Sequence, residues 1–266
     1  MFQTLMAEFS AAWKSFIHFP LPAFLSGDSE DSDYAPIDGH SALLRIMLPL
    51  VGCVLGLMAA VPAWLLHLLP SGRLTAGIFG MTAIPLMLEL AGSWNGLTAL
   101  SDFIARRYRG ESAADALSGD ADTIDAARSG ISLILMMTLY FLRMVFCGLL
   151  AAFAPFWLVI ALTGAWLIRA ELSTLEQTGS GQIWLRVPRG LGKHHWYLAA
   201  GAMAACGFLH PWGILLAYSV SWALASLERN LCLESISGIG PKAFNTLGYA
   251  SEIVLMFLGV LFYAGV

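Results

Sequence analysis

Four kinds of residue in this chain have the type and spacing to do chemistry. The first is a polar stripe. If residues 89–110, ELAGSWNGLTALSDFIARRYRG, stay helical, Asn95, Ala99 and Asp102 stand at i, i+4 and i+7 on one face. The stretch leaves an apolar run still carrying Glu89 and emerges at Arg106, Arg107 and Arg109. Polar groups where a helix leaves a bilayer line a protein-buried or watery cavity. Taken alone, Asn95 reads as a helix–helix hydrogen bonder and Asp102 as a solvated charge at a helix end. The second kind is arginine: Arg128, Arg143 and Arg169 border or enter apolar runs, and guanidinium forks match phosphate oxygens in pairs. Arg128 and Arg169 alone read as headgroup anchors. Arg143, inside an apolar run, requires a partner. Glu252, early in the last apolar run and four residues after Gly248, raises the same question. The cysteines are the fourth kind. Cys53, Cys147, Cys206 and Cys232 lack metal-ligand spacing and read as buried thiols. No Gly-rich phosphate loop, nucleophile elbow or His/Cys metal cluster is present, and His194-His195 reads as an interfacial pair.

The elements that must position these residues are membrane helices. With 58% hydrophobic and 12% charged residues and a mean hydropathy of +0.72, the 266-residue chain is no soluble domain. The expected class is all-α: a polytopic integral membrane helical bundle of about seven transmembrane segments, some short or broken. A net charge of −4 gives no reason to expect nucleic acid. Two regions follow. Residues 1–40 read as an amphipathic interfacial helix, ended by Pro20 and Pro22, and an acidic solvated loop at 28–38. Residues 41–266 read as a single membrane domain. Its expected spans are 46–69, 74–92, 130–154, a short 155–168, a hairpin of 196–209 and 212–227 broken at His210-Pro211, and a last span ending at 266.

Charge orients this bundle. Loops near 101–129, 169–195 and 228–246 carry Arg106, Arg107, Arg109 and Arg128, then Arg169, Arg186, Arg189 and Lys193, then Arg229 and Lys242. Two spans separate each loop from the next, so all three share one side, and the positive-inside rule makes it the cytoplasm. Any chemistry then sits on the cytoplasmic side, where carboxylates, amides and arginines gather.

The order of segments resembles the cobalamin synthase family, the membrane-bound adenosylcobinamide-GDP ribazoletransferases. FIHFPLP at 16–22 resembles the family's FLTRLPVP-like opening, and LPLVG at 48–52, with Gly56 after it, is similar to its FPLVGxxxG span. SWNGLTALSD at 93–102 falls where the family carries H-x-D-G-L-A-D-x-x-D. Arg128-Ser129-Gly130 falls on its DSRIG stretch, Arg143 on a basic residue of the following helix, and Arg169 on a Ser-Arg pair. NTLGYASE at 245–252 resembles the GD-x-LGA-x-x-E ending. The likeness covers nearly the whole chain in the right order.

The resemblance implies a transferase of the late corrinoid pathway in a bacterial or archaeal cytoplasmic (inner) membrane, its active side cytoplasmic. It would join α-ribazole to adenosylcobinamide-GDP, giving adenosylcobalamin and GMP. Mg²⁺ would be the cofactor, held by Asp102, Asn95 and Glu252. Asp102 and Glu252 would act in catalysis, and Arg128, Arg143, Arg169 and Asn245 would bind substrate. Implied partners are corrinoid and α-ribazole-type small molecules and the lipid bilayer, with a second copy of the chain or pathway enzymes beside it. The departures from the family pattern fall on its acids. Asn95, Ala99 and Asn245 stand at aspartate positions, Ser93 at a histidine, and Ala126 or Ala127 at the acid before Ser-Arg. An amide oxygen coordinates Mg²⁺ without neutralising it, so these changes weaken a metal site. The alternative is a non-catalytic homologue that binds a corrinoid or scaffolds other membrane proteins. A small transporter would want an inverted repeat, and no clear one is visible.

Overall fold

A computed structural model of the chain describes residues 6, 9–14, 17, 42–92, 94–118, 130–173, 194–207, 211–235 and 241–263. Among these residues every regular element is a helix: α1 (Ala42–Leu66), α2 (Gly72–Ala91), α3 (Asn95–Tyr108), α4 (Ala113–Ser118), α5 (Gly130–Phe153), α6 (Trp157–Leu172), α7 (His194–Gly207), α8 (Pro211–Ser235) and α9 (Pro241–Tyr263). Four of them are long and apolar enough to cross a membrane: Ile46–Leu66, Gly72–Ala91, Gly130–Phe153 and Lys242–Tyr263. The described residues are thus all-helical, with four helices of the length and hydrophobicity that membrane crossing needs.

The bundle is built around α6. Of its 16 residues only Glu171 is not buried. At ~1.5 Å per residue it is shorter than a bilayer core of ~30 Å, so protein rather than lipid surrounds it. Helices α1, α7, α8 and α9 pack around it, and α2 pairs with α5. Trp157, Leu158, Ile160, Leu162 and Leu167 fill the centre, and the Trp157 indole N–H donates to the Leu255 carbonyl at 2.9 Å. The α2–α5 seam depends on close backbone approach. A Cβ added to Gly80 would lie 2.5 Å from the Ala151 methyl and 2.6 Å from the Cys147 carbonyl oxygen.

Several expected boundaries move. The stretch 89–110 is not one helix: α2 ends at Ala91, and Trp94 takes the left-handed conformation, φ 62°, before α3 starts at Asn95. The indole rests on Tyr140 of α5, with ring centroids 5.5 Å apart, and that contact holds the strained residue. The expected loop 101–129 is partly helical, because α3 continues to Tyr108 and α4 follows. Ser112 caps α4, accepting the Asp115 amide N–H at 3.1 Å. The expected loop 228–246 shrinks in the same way, with α8 running to Ser235 and α9 starting at Pro241. Residues 9–14 are helical as expected, yet Phe9, Ala12 and Trp13 join the main core instead of facing an interface. The acidic loop at 28–38 lies outside the described residues.

Candidate functional site

The break between α2 and α3 aims two polar positions at one place. Glu89 occupies the last turn of α2, and Asn95 the first turn of α3; both line a cavity of about 130 Å³. Arg143 of α5, Trp166 and Arg169 of α6, and Asn245, Tyr249 and Glu252 of α9 complete its polar wall. Leu55, Leu88, Leu162, Phe244 and Ile17 supply the apolar part.

Arg143 is the hub. Its Nη1 donates to Glu89 Oε1 and its Nη2 to Glu252 Oε1. The guanidinium lies over the Tyr249 ring, 4.9 Å from the centroid, and the Tyr249 hydroxyl donates to Glu89 Oε1 at 2.8 Å. Arg143 was expected to face the bundle interior and pair with a carboxylate, a carbonyl or bound phosphate; two carboxylates meet it. Arg169 approaches from the other side. Its Nη2 stands 3.9 Å from Glu252 Oε2, and its guanidinium lies 4.8 Å from the Trp166 ring centroid. Gly248 makes that approach possible, because a Cβ there would collide with the Arg169 Nε. Two carboxylates and two guanidiniums sum to zero charge, as desolvated ions require. The hydrogen bonding is less complete than the charge. Arg169 Nη1 and Arg143 Nε are buried without a partner among the described residues, and an unmet buried donor costs about 1–3 kcal/mol.

The residues expected to share a site do so only in part. Asn95, Arg143, Arg169, Asn245 and Glu252 come together around the cavity. Asp102 does not line it. Two turns along α3 from Asn95, its Oδ2 accepts from Lys242 Nζ, and Arg106 Nε lies 3.4 Å away. It is thus an ion-paired residue, not the solvated charge its position implied, and its Oδ1 is buried without a partner among the described residues. Arg128 lies outside the described residues. Among the described residues no three His, Cys, Asp or Glu side chains are grouped to hold a metal ion. Sequence reasoning left Glu89, Tyr249 and Trp166 out of the site. Glu89 carried the signal that singled out Arg143, an ionisable group within an apolar run. No periodicity marks the two aromatics, which tertiary packing brings under the guanidiniums. No protein-family model, curated protein or solved structure matches the chain.

Proposed function

We propose that the chain is a membrane-embedded transferase of the cobalamin synthase type, joining α-ribazole to adenosylcobinamide-GDP with release of GMP. One observation supports this most: five positions that the family resemblance singles out, drawn from four helices, surround one cavity. A space of about 130 Å³ suits a phosphoryl group and not a whole corrinoid or nucleotide. The bulk of both substrates would therefore stay outside the cavity, towards the cytoplasm. The Arg169 Nη1 donor and the amides of Asn95 and Asn245 would take phosphate oxygens. Glu252 would accept the proton of the ribazole hydroxyl as its oxygen bonds to phosphorus and the GMP oxygen departs. In the same proposal α6, α7 and α8 complete a seven-span bundle in a bacterial or archaeal cytoplasmic membrane, working alone or beside copies of itself or pathway enzymes.

Mg²⁺ fits the described donors poorly. Asp102 is committed to Lys242 and Arg106 outside the cavity, and Glu252 to two arginines, which leaves the Asn95 amide as the remaining donor of the implied set. Hard cations want several anionic oxygens at once. The proposed chemistry therefore has no step through the metal.

The same observation favours a second reading, in which a non-catalytic homologue holds a corrinoid phosphate without transferring it. GMP release from adenosylcobinamide-GDP plus α-ribazole, measured in membranes carrying the protein, separates the two. The transferase reading expects release by the wild type and at least a ~100-fold loss in Arg169→Ala. Asn95→Asp, Ala99→Asp and Asn245→Asp together should also lower release, because they remove two amide donors and set carboxylates against the phosphate. If the wild type does not release GMP, the transferase reading fails and the binding protein stands.

A further inference from the structure

A second cavity, of about 320 Å³, opens between α7 and α8 at the end of α6, away from the Arg143 cluster. We propose that it is a binding site for a planar heteroaromatic group. The proposal does not rest on the transferase reading.

Its walls are aromatic by construction. Tyr218, Trp222, Ala225 and Arg229 stand at i, i+4, i+7 and i+11 on one face of α8. Small Ala225 leaves a recess between Trp222 and Arg229, one turn away on either side. Across it α7 brings Trp196 and Tyr197. Trp196 is buried and packs edge-on against Tyr218, with centroids 5.4 Å apart at 84°, forming a floor. Tyr197 and Trp222 are exposed and form two jaws. Flat π faces around a recess of this volume match a flat ring system, which gains from offset or edge contacts on several sides.

The polar end decides the ligand's charge. Glu171 would draw a cation into such an aromatic box were its carboxylate unspent. Both of its oxygens are occupied. Arg229 Nη1 donates to Oε1 at 3.1 Å, the Trp196 indole N–H donates to Oε2 at 3.1 Å, and His195 Nε2 lies 2.8 Å from Oε2. A cation would meet the Arg229 guanidinium instead, on a side chain that is 48% exposed. Its remaining N–H groups have no partner among the described residues, and they point the selection towards a neutral ring or one with an anionic substituent.

The test uses the full-length protein in phosphatidylcholine nanodiscs, with benzimidazole as probe and empty nanodiscs as the partition blank. Equilibrium dialysis is expected to show saturable binding of one probe per chain. Trp222→Leu, which removes an exposed jaw, and Ser226→Leu, which adds bulk at a small residue lining the cavity beside Ala225, should each weaken it roughly tenfold or more. Circular dichroism and a thermal melt matching wild type show that each variant is folded; Trp222→Leu, at an exposed position, retains the fold even where Ser226→Leu does not. Tetramethylammonium should not compete. Competition by tetramethylammonium would overturn the proposal in favour of a cation cage. Equal affinity in folded Trp222→Leu protein would overturn it outright. So would native mass spectrometry showing a phospholipid that leaves with either substitution and excludes the probe.

Discussion

Arg143 makes two ion pairs and a ring contact in a place where none of its partners can turn to water. Both carboxylates and the guanidinium are nearly fully buried, so removal of the arginine alone strands two like charges against each other. Arg143→Ala is therefore expected to lower stability by about 3–5 kcal/mol, measured by thermal unfolding in detergent. Arg143→Met combined with Glu89→Gln and Glu252→Gln should recover most of that loss, because the uncompensated charge goes too. An Arg143→Ala protein that melts with the wild type would show that the cluster does not hold the fold. Glu228 gives a second expectation, readable in pH. It lies past the apolar stretch 212–227 and outside the four long apolar helices. Burial pushes its carboxyl up to about 8, while the Ser251 hydroxyl, donating at 2.5 Å, and nearby Arg169 pull it back. The folded state thus holds a proton that the unfolded chain releases near its ordinary 4.5. Stability from this group is full below that value and declines as pH rises to about 8. Glu228→Gln should flatten that part of the stability–pH curve; an unchanged slope would move the proton elsewhere.

Helices in this chain meet where small residues let backbones touch, and the α2–α5 seam is one such case. Gly80→Ala places a methyl against the Ala151 side chain and the Cys147 carbonyl, so the helices must separate. The expected loss is about 1–3 kcal/mol. Gly201→Ala on exposed α7 meets nothing within 4 Å and should be neutral, or stabilising by a few tenths of a kcal/mol to about 1. Parallel thermal melts of the two variants test the seam, and equal melting points would dismiss it. At this scale the sequence was legible where hydrophobicity alone sets the element. The long apolar runs appear as α1, α2, α5 and α9 within a few residues of their expected ends. It was less legible where charge begins. Arg106, Arg107, Glu228 and Arg229 read as loop, yet they sit inside helices, because charge marks where an apolar environment stops and not where a helix does. The site followed the same rule. Arg143 and Glu252 were visible as ions in apolar runs, whereas the pairing of Asp102 with Lys242 joins residues far apart in sequence and left no local trace. The turn at Trp94 was equally hidden, since its left-handed conformation is held by its N–H donating back to the Glu89 carbonyl at 3.0 Å and by packing on the Tyr140 ring.

The arrangement of helix ends across the whole molecule agrees with the distribution of arginine and lysine. Glu171 at the end of α6, His195 and Trp196 at the start of α7, and Arg229 late in α8 are joined through one carboxylate, so those three ends lie together. Ser251 holds Glu228, and Lys242 holds Asp102, bringing the first turns of α9 and the second half of α3 to the same end. At the other end the charge thins out: Arg73, over the Phe153 ring at 5.9 Å, is the exception. The positive-inside rule predicts that Arg107, Arg189 and Lys242 share the cytoplasmic side, with Ser71 and Val266 outside. The prediction is tested with single cysteines in a background where the four native cysteines are replaced. Arg107→Cys, Gly190→Cys and Ser237→Cys should resist a membrane-impermeant maleimide on intact cells and react once the cells are opened. Ser71→Cys and Val266→Cys should react from outside in both conditions. Ser71→Cys labelled only in opened cells, with Arg107→Cys labelled from outside, would invert the molecule. That outcome would also turn the Arg143 cavity away from any cytoplasmic nucleotide, and the proposed transfer would lose its substrate. Outside labelling of Gly190→Cys alone would instead remove α6 and one of α7 and α8 as crossings, two fewer in all. Because the Glu171 contacts tie those three helix ends together, Arg107→Cys, Gly190→Cys and Ser237→Cys are expected to share one result, protected before opening and labelled after it.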